Sequence, residues 1–104
     1  MSIDEYVEWA RNAGAIQTTP EATEGHLAML GLGLVSDAGE VADLLKKRLS
    51  DGALDGERLA YELGDVLYYW ARLCAVTGIR PSELLDRSRR NIEARHAKRP
   101  QVSP

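Results

Sequence analysis

Two runs of apolar residues at helical spacing, parted by a seven-residue turn, constrain this chain more than any other feature. In the first, Leu27, Leu30, Leu34, Val41 and Leu44 follow one another at intervals of three, four, seven and three. In the second, Leu59, Val66, Tyr69, Leu73 and Val76 are spaced by seven, three, four and three. These intervals gather side chains on one face of an α-helix, whereas a strand gathers every second residue. The intervening SDGALDG is short, so the two helices must double back and pack antiparallel, as in a bundle.

The rest of the chain extends that all-α reading. Ser2 and Glu5 have the S-x-x-E spacing of a capping box, which starts a first helix that runs to about Asn12, with Gly14 as its stop. The loop GAIQTTPEATEG leads into the second helix, expected from about Ala22 to Leu49. Asp55 is placed to cap the third, which extends to about Thr77 and ends at Gly78. Pro81 suits the first turn of a fourth helix reaching about Ala97, and the tail KRPQVSP is expected to fray. With no boundary, repeat or low-complexity segment, residues 1–104 are read as a single domain forming a four-helix bundle.

Composition narrows the partners. Thirteen basic and 16 acidic side chains leave a net charge of −3, which argues against a general binder of nucleic acid or anionic membrane. No segment approaches the ~20 apolar residues of a membrane span, and the acidic opening MSIDEYVEW has no apolar leader, so a cytoplasmic protein is expected. Cys74, the only cysteine, lies in an apolar run and is read as a small core residue. A chain of 104 residues buries a modest share of its surface, and Tyr68, Tyr69 and Trp70 in a row point every way around one helix. A homodimer or homotetramer is therefore expected, with the third helix near the interface.

The stripes themselves are interrupted by acids. Asp37 takes the place that continues the spacing between Leu34 and Val41, and Glu40 lies one turn on. Glu62 fits between Leu59 and Val66, and Asp65 follows by one turn. Each pair encloses a glycine, Gly39 in DAGE and Gly64 in ELGD, expected to let the backbones approach and leave room beside the acids. Antiparallel packing would bring the pairs together midway along the helices, and four carboxylates that close repel unless a cation joins them. Oxygen donors favour a hard ion such as Mg²⁺, with Mn²⁺ possible, which also keeps sites for water and phosphate. A di-iron bundle would use Glu-x-x-His, and neither pair contains histidine.

GLGLVSDAGEVADLLKK, ELGDVLYYWARL and GIRPSELLDRSRRNIEAR together resemble the MazG-like, all-α nucleoside triphosphate pyrophosphohydrolases, over roughly residues 27–95. The resemblance implies an oligomeric helical bundle that binds Mg²⁺ and cleaves a nucleoside triphosphate to monophosphate and pyrophosphate. It implies that Glu40, Glu62 and Asp65 are metal ligands. Asp37 matches the first acid of the pattern, where the family has glutamate, and is expected to bind metal or orient the attacking water. Asn91 matches a family asparagine near substrate. The basic position after it falls on Ala94, so Arg95 or Lys98 would substitute.

The chemistry of the residues agrees. A triphosphate is repelled by carboxylates unless metal intervenes, and either Asp37 or Glu40 can accept the proton of the attacking water. Lys46, two turns past Glu40, and the basic fourth helix offer cations for phosphate, although a solvated basic face is the ordinary meaning of such a helix. Trp9, Tyr61, Tyr68, Tyr69 and Trp70 are the aromatic candidates for a base pocket, with His26 read as a surface residue. Two other functions compete with this house-cleaning enzyme: a helical dimerisation module without turnover, and nucleic-acid binding through RSRRNIEARHAKR, which the acidic total disfavours.

Overall fold

A computed structural model describes residues 1–13 and 23–98, and every element among them is helical. α1 spans Ile3–Ala13, α2 Glu24–Asp51, α3 Gly56–Thr77 and α4 Pro81–Lys98. The expected stop at Gly14, the loop to Ala22 and the tail beyond Lys98 lie outside the described residues.

Local chemistry explains each boundary. At α1 the Ser2 hydroxyl accepts from the Glu5 amide at 3.0 Å while the Glu5 carboxylate accepts from the Ser2 amide at 2.9 Å, the reciprocal capping box. These bonds hold the Glu5 carboxyl below its ordinary value. Thr23 caps α2 by accepting from the His26 amide, so this helix begins slightly later than the apolar pattern suggested. Its end comes at Gly52, whose φ of 77° is open to glycine at little cost. Asp55 accepts from the Arg58 amide at 3.1 Å to start α3, and Gly78 closes that helix in the same left-handed conformation.

α3 is the hub, with α2 along one side and α1 along another. The fully buried core lies between α1 and α3 and is built of Val7, Ala10, Ala71, Cys74 and Ala75, small side chains that let the helices come close. Tyr6, Tyr68, Trp70 and Leu84 pack around it. Burial pushes the Cys74 thiol above its usual range, in keeping with a core residue. Between α2 and α3 the predicted stripes do meet, but of the ten residues only Leu30 is fully buried. On this seam the Tyr69 ring lies over Gly33, where an added Cβ would collide with it.

Buried Arg72 fastens α1 to α3. Its guanidinium donates to the Ala10 and Arg11 carbonyls at 3.0 and 3.3 Å, satisfying groups that the last turn of a helix leaves unpaired. In return Arg11 donates to the Ala75 carbonyl. α4 enters beside α1, where Asp4 accepts from the Ser82 amide at 3.0 Å, and packs Leu84 on the core. From Leu85 to Lys98 every residue of α4 is exposed. Among the described residues no helix is long and apolar enough to cross a membrane.

Candidate metal centre

Antiparallel packing brings the two acid pairs to the same level. Asp37 from α2 and Glu62 and Asp65 from α3 each offer a carboxylate oxygen, and these oxygens lie within 4.8 Å of one another. Glu62 is buried; Asp37 and Asp65 are half-buried. The reason is local: Asp37 and Glu62 occupy stripe positions that the helical period turns toward the neighbouring helix, and Asp65 follows Glu62 by one turn.

Such crowding has an electrostatic signature. Burial, then the charges of Asp65, Glu62 and Glu40, raise the Asp37 carboxyl above its ordinary value. Glu62 is partly relieved by Arg58, one turn earlier on α3, whose guanidinium donates to it at 2.9 Å. Its bond to Glu62 holds that guanidinium above its own ordinary value. The donor set is all oxygen and anionic, within the mutual reach of one ion's ligand shell, which fits Mg²⁺ or Mn²⁺ and disfavours thiolate- or imidazole-seeking metals.

The other predicted site residues are arranged differently. Glu40 is exposed and outside the three-oxygen cluster, near enough to act on the charge of Asp37 but not gathered with it. One turn past Asp37 the helix has already rotated this side chain toward solvent. Gly39 and Gly64 are exposed, and a Cβ at either would meet nothing within 4 Å, so they do not mediate helix contact. That role belongs to Gly33. Lys46 is exposed on α2. Asn91, Arg95 and Lys98 sit on the free part of α4, which packs on α1 and does not fold back along α2 or α3. The fold of the chain therefore does not gather them with the acids.

Among the aromatic candidates, Trp9, Tyr68 and Tyr69 form a chain of edge contacts with centroids 6.2 and 5.7 Å apart, continued by Tyr6 at 5.4 Å from Trp9. Tyr61 stays exposed, one turn before Asp65. His26 is buried rather than superficial, and its Nε2 has no hydrogen-bond partner among the described residues. Its place four residues before Leu30 continues the inward face, a signal the sequence did carry. Arg72 was also legible, as the one charge inside the apolar run YYWARLCAV.

Comparison with known proteins adds a relative but no chemistry. No family model matches the chain. No solved structure matches it either. The Gene 37 protein of Mycobacterium phage L5 is 35% identical over 80 residues, covering 72% of this chain and 69% of the relative.

Proposed function

Because the chain belongs to the family of the Mycobacterium phage L5 Gene 37 protein, a name that states no activity, we propose its function from the site: Mg²⁺-dependent hydrolysis of a (deoxy)nucleoside triphosphate to the monophosphate and pyrophosphate. The observation that carries this reading is the convergence of Asp37, Glu62 and Asp65 from two antiparallel helices. The resemblance of the acid pairs and of the fourth helix to the MazG-like pyrophosphohydrolases supports it.

Asp37, Glu62 and Asp65 would hold the metal, with Glu40 at the edge. When bound, Mg²⁺ polarises phosphoryl oxygens and lowers the pKa of water. The chain's own residues supply the rest. Water oxygen bonds to the α-phosphorus as the bond to the bridging oxygen breaks, and pyrophosphate departs with that oxygen. The water's proton passes to a carboxylate. Asp37 and Glu40 are the two acids of α2 beside the site that could take it. Tyr61, exposed beside Asp65, is the ring best placed to lie against a base. Such an enzyme would work on cytoplasmic nucleotide pools.

Incubation with a panel of ribo- and deoxyribonucleoside triphosphates, with and without Mg²⁺, tests this. Monophosphate and pyrophosphate as first products, abolished by chelator, are expected. Diphosphate and orthophosphate would show that a different bond is cut, and no turnover of any triphosphate would favour a helical interaction module. An apolar face on α2 gives that module its footing: Leu32, Val35 and Leu49 are 71%, 69% and 87% exposed. We assign that face to a homodimer or homotetramer.

A further inference from the structure

α4 carries a charge pattern that the proposed hydrolysis leaves unused. Five cations against three acids give this helix a net charge of +2, whereas the chain as a whole stands at −3. Two of the acids are already paired, Glu83 with Arg80 at 3.2 Å and Glu93 with Arg89 at 3.0 Å. Arg87, Arg90, Arg95 and Lys98 pair with no acid among the described residues. All four belong to the stretch from Leu85 to Lys98 that the rest of the fold leaves exposed.

The helical period sorts these charges by side. Arg87, Asn91, Ala94 and Lys98 follow at intervals of four, three and four and share one face, with Arg90 and Arg95 at its borders. Asp86, Arg89 and Glu93, at intervals of three and four, lie on the opposite face. The ion pair of the exposed stretch therefore sits behind, and every unpaired cation in front. The front also sets like charges beside each other, Arg87 with Arg90 and Arg95 with Lys98, each three residues apart. Such neighbours repel and weaken a helix, whereas a solvated helix gains by setting opposite charges at this spacing. A bound polyanion turns that repulsion into attraction.

The dimensions and chemistry of the face select the polyanion. From Arg87 to Lys98 the helix advances by about 16 Å, which matches several successive phosphates of a duplex strand, about 3.4 Å apart along its axis. An interfacial membrane helix needs a broad apolar strip beside its cations. Beyond Leu84, α4 offers Leu85 and Ile92, both on the side away from Arg87 and Arg90. It has no Phe, Tyr or Trp on which an unpaired base could stack. The major groove of duplex RNA is too deep and narrow for side chains to read, while that of DNA admits a helix. We infer that the exposed front of α4 binds duplex DNA, with Arg87, Arg90, Arg95 and Lys98 on backbone phosphates and Asn91, in the middle of the face, toward a base edge. The acidic remainder of the chain confines the contact to this helix. This second activity does not rest on the pyrophosphohydrolase reading.

Fluorescence anisotropy of a labelled DNA duplex, titrated with the full chain in chelator over a series of NaCl concentrations, tests it. Chelator removes any metal bridge between phosphates and the Asp37–Glu62–Asp65 cluster. Saturable binding is expected, falling with salt at a log–log slope of about −4, as four phosphate contacts require. Arg87→Ala/Arg90→Ala and Arg95→Ala/Lys98→Ala should each weaken it at least about tenfold and flatten the slope by about two. Lysine in place of Arg87 and Arg90 should keep most of the affinity, since charge is what the phosphates require. Arg89→Ala, on the back of the helix, should bind within about twofold of the parent, and so should Asp65→Asn. No binding by the parent at low salt overturns the inference. So does an Arg89→Ala loss equal to that of the front pairs, tighter binding to single strands, or binding to anionic phosphatidylserine vesicles in place of the duplex.

Discussion

Asp37 and Arg72 show how a single side chain ties local chemistry to stability. The folded protein raises the Asp37 carboxyl above its unfolded value, so in the metal-free state its ionised form opposes folding. That cost is present at pH above the folded value, shrinks as pH falls through it, and is gone below the ordinary value of 3.8. Asp37→Asn in chelator should therefore melt no lower than the parent at neutral pH, with any advantage disappearing in acid; thermal scans from pH 7 to pH 3 check this. A clear loss of stability at neutral pH would mean that the carboxylate is paired. Arg72 acts in the opposite sense. Replacing it with Met leaves two carbonyls at the end of α1 without their donor, with an expected loss of about 1–3 kcal/mol in urea unfolding. A change below about 0.5 kcal/mol, the range of an ordinary surface site, would show that α1 is held by packing alone.

At the scale of elements, the helices were legible because their signals are local: the capping box at Ser2 and Glu5, the Asp55 cap, and glycines 52 and 78 at the ends all act within a turn or two. The convergence of three of the four acids was legible too, since the helical period aims Asp37 and Glu62 at the same seam and Asp65 follows by one turn, whereas Glu40 is turned to solvent. What the period could not reveal was distance. Gly39 and Gly64 stood in the right motifs, yet the ring of Tyr69 sits on Gly33, a contact set by the register between two helices. Gly33→Ala should thus cost about 1–3 kcal/mol by overpacking. Gly64→Ala, with open space around it, should stabilise the helix by up to about 1 kcal/mol. Chemical denaturation of the two variants decides the assignment, and the reverse order of effects would refute it.

On the scale of the whole molecule, the same limit explains why the place of α4 was not legible. Its sequence carries a strong helix signal and a basic character, but neither encodes that it packs on α1 and leaves residues 85–98 exposed. The preference of Ala10, Ala71 and Ala75 for close α1–α3 packing, which draws the buried core away from the longer α2–α3 seam, was equally hidden in an ordinary alanine content. A chain with half-buried stripes, a bare α4 and an apolar outer face on α2 is expected to sediment as a dimer or larger at micromolar concentration. Leu32→Asp/Val35→Asp should shift it toward monomer. A parental monomer in analytical ultracentrifugation would contradict this.

We propose that Asp37, Glu62 and Asp65 hold a divalent metal. Calorimetric titration of Mn²⁺ into the parent and into Asp65→Asn at neutral pH tests it without reference to any substrate. Saturable binding by the parent is expected, at least about tenfold weaker in the variant, because one of three convergent oxygen donors has lost its charge. Equal binding by both proteins, or no binding by the parent, would contradict it.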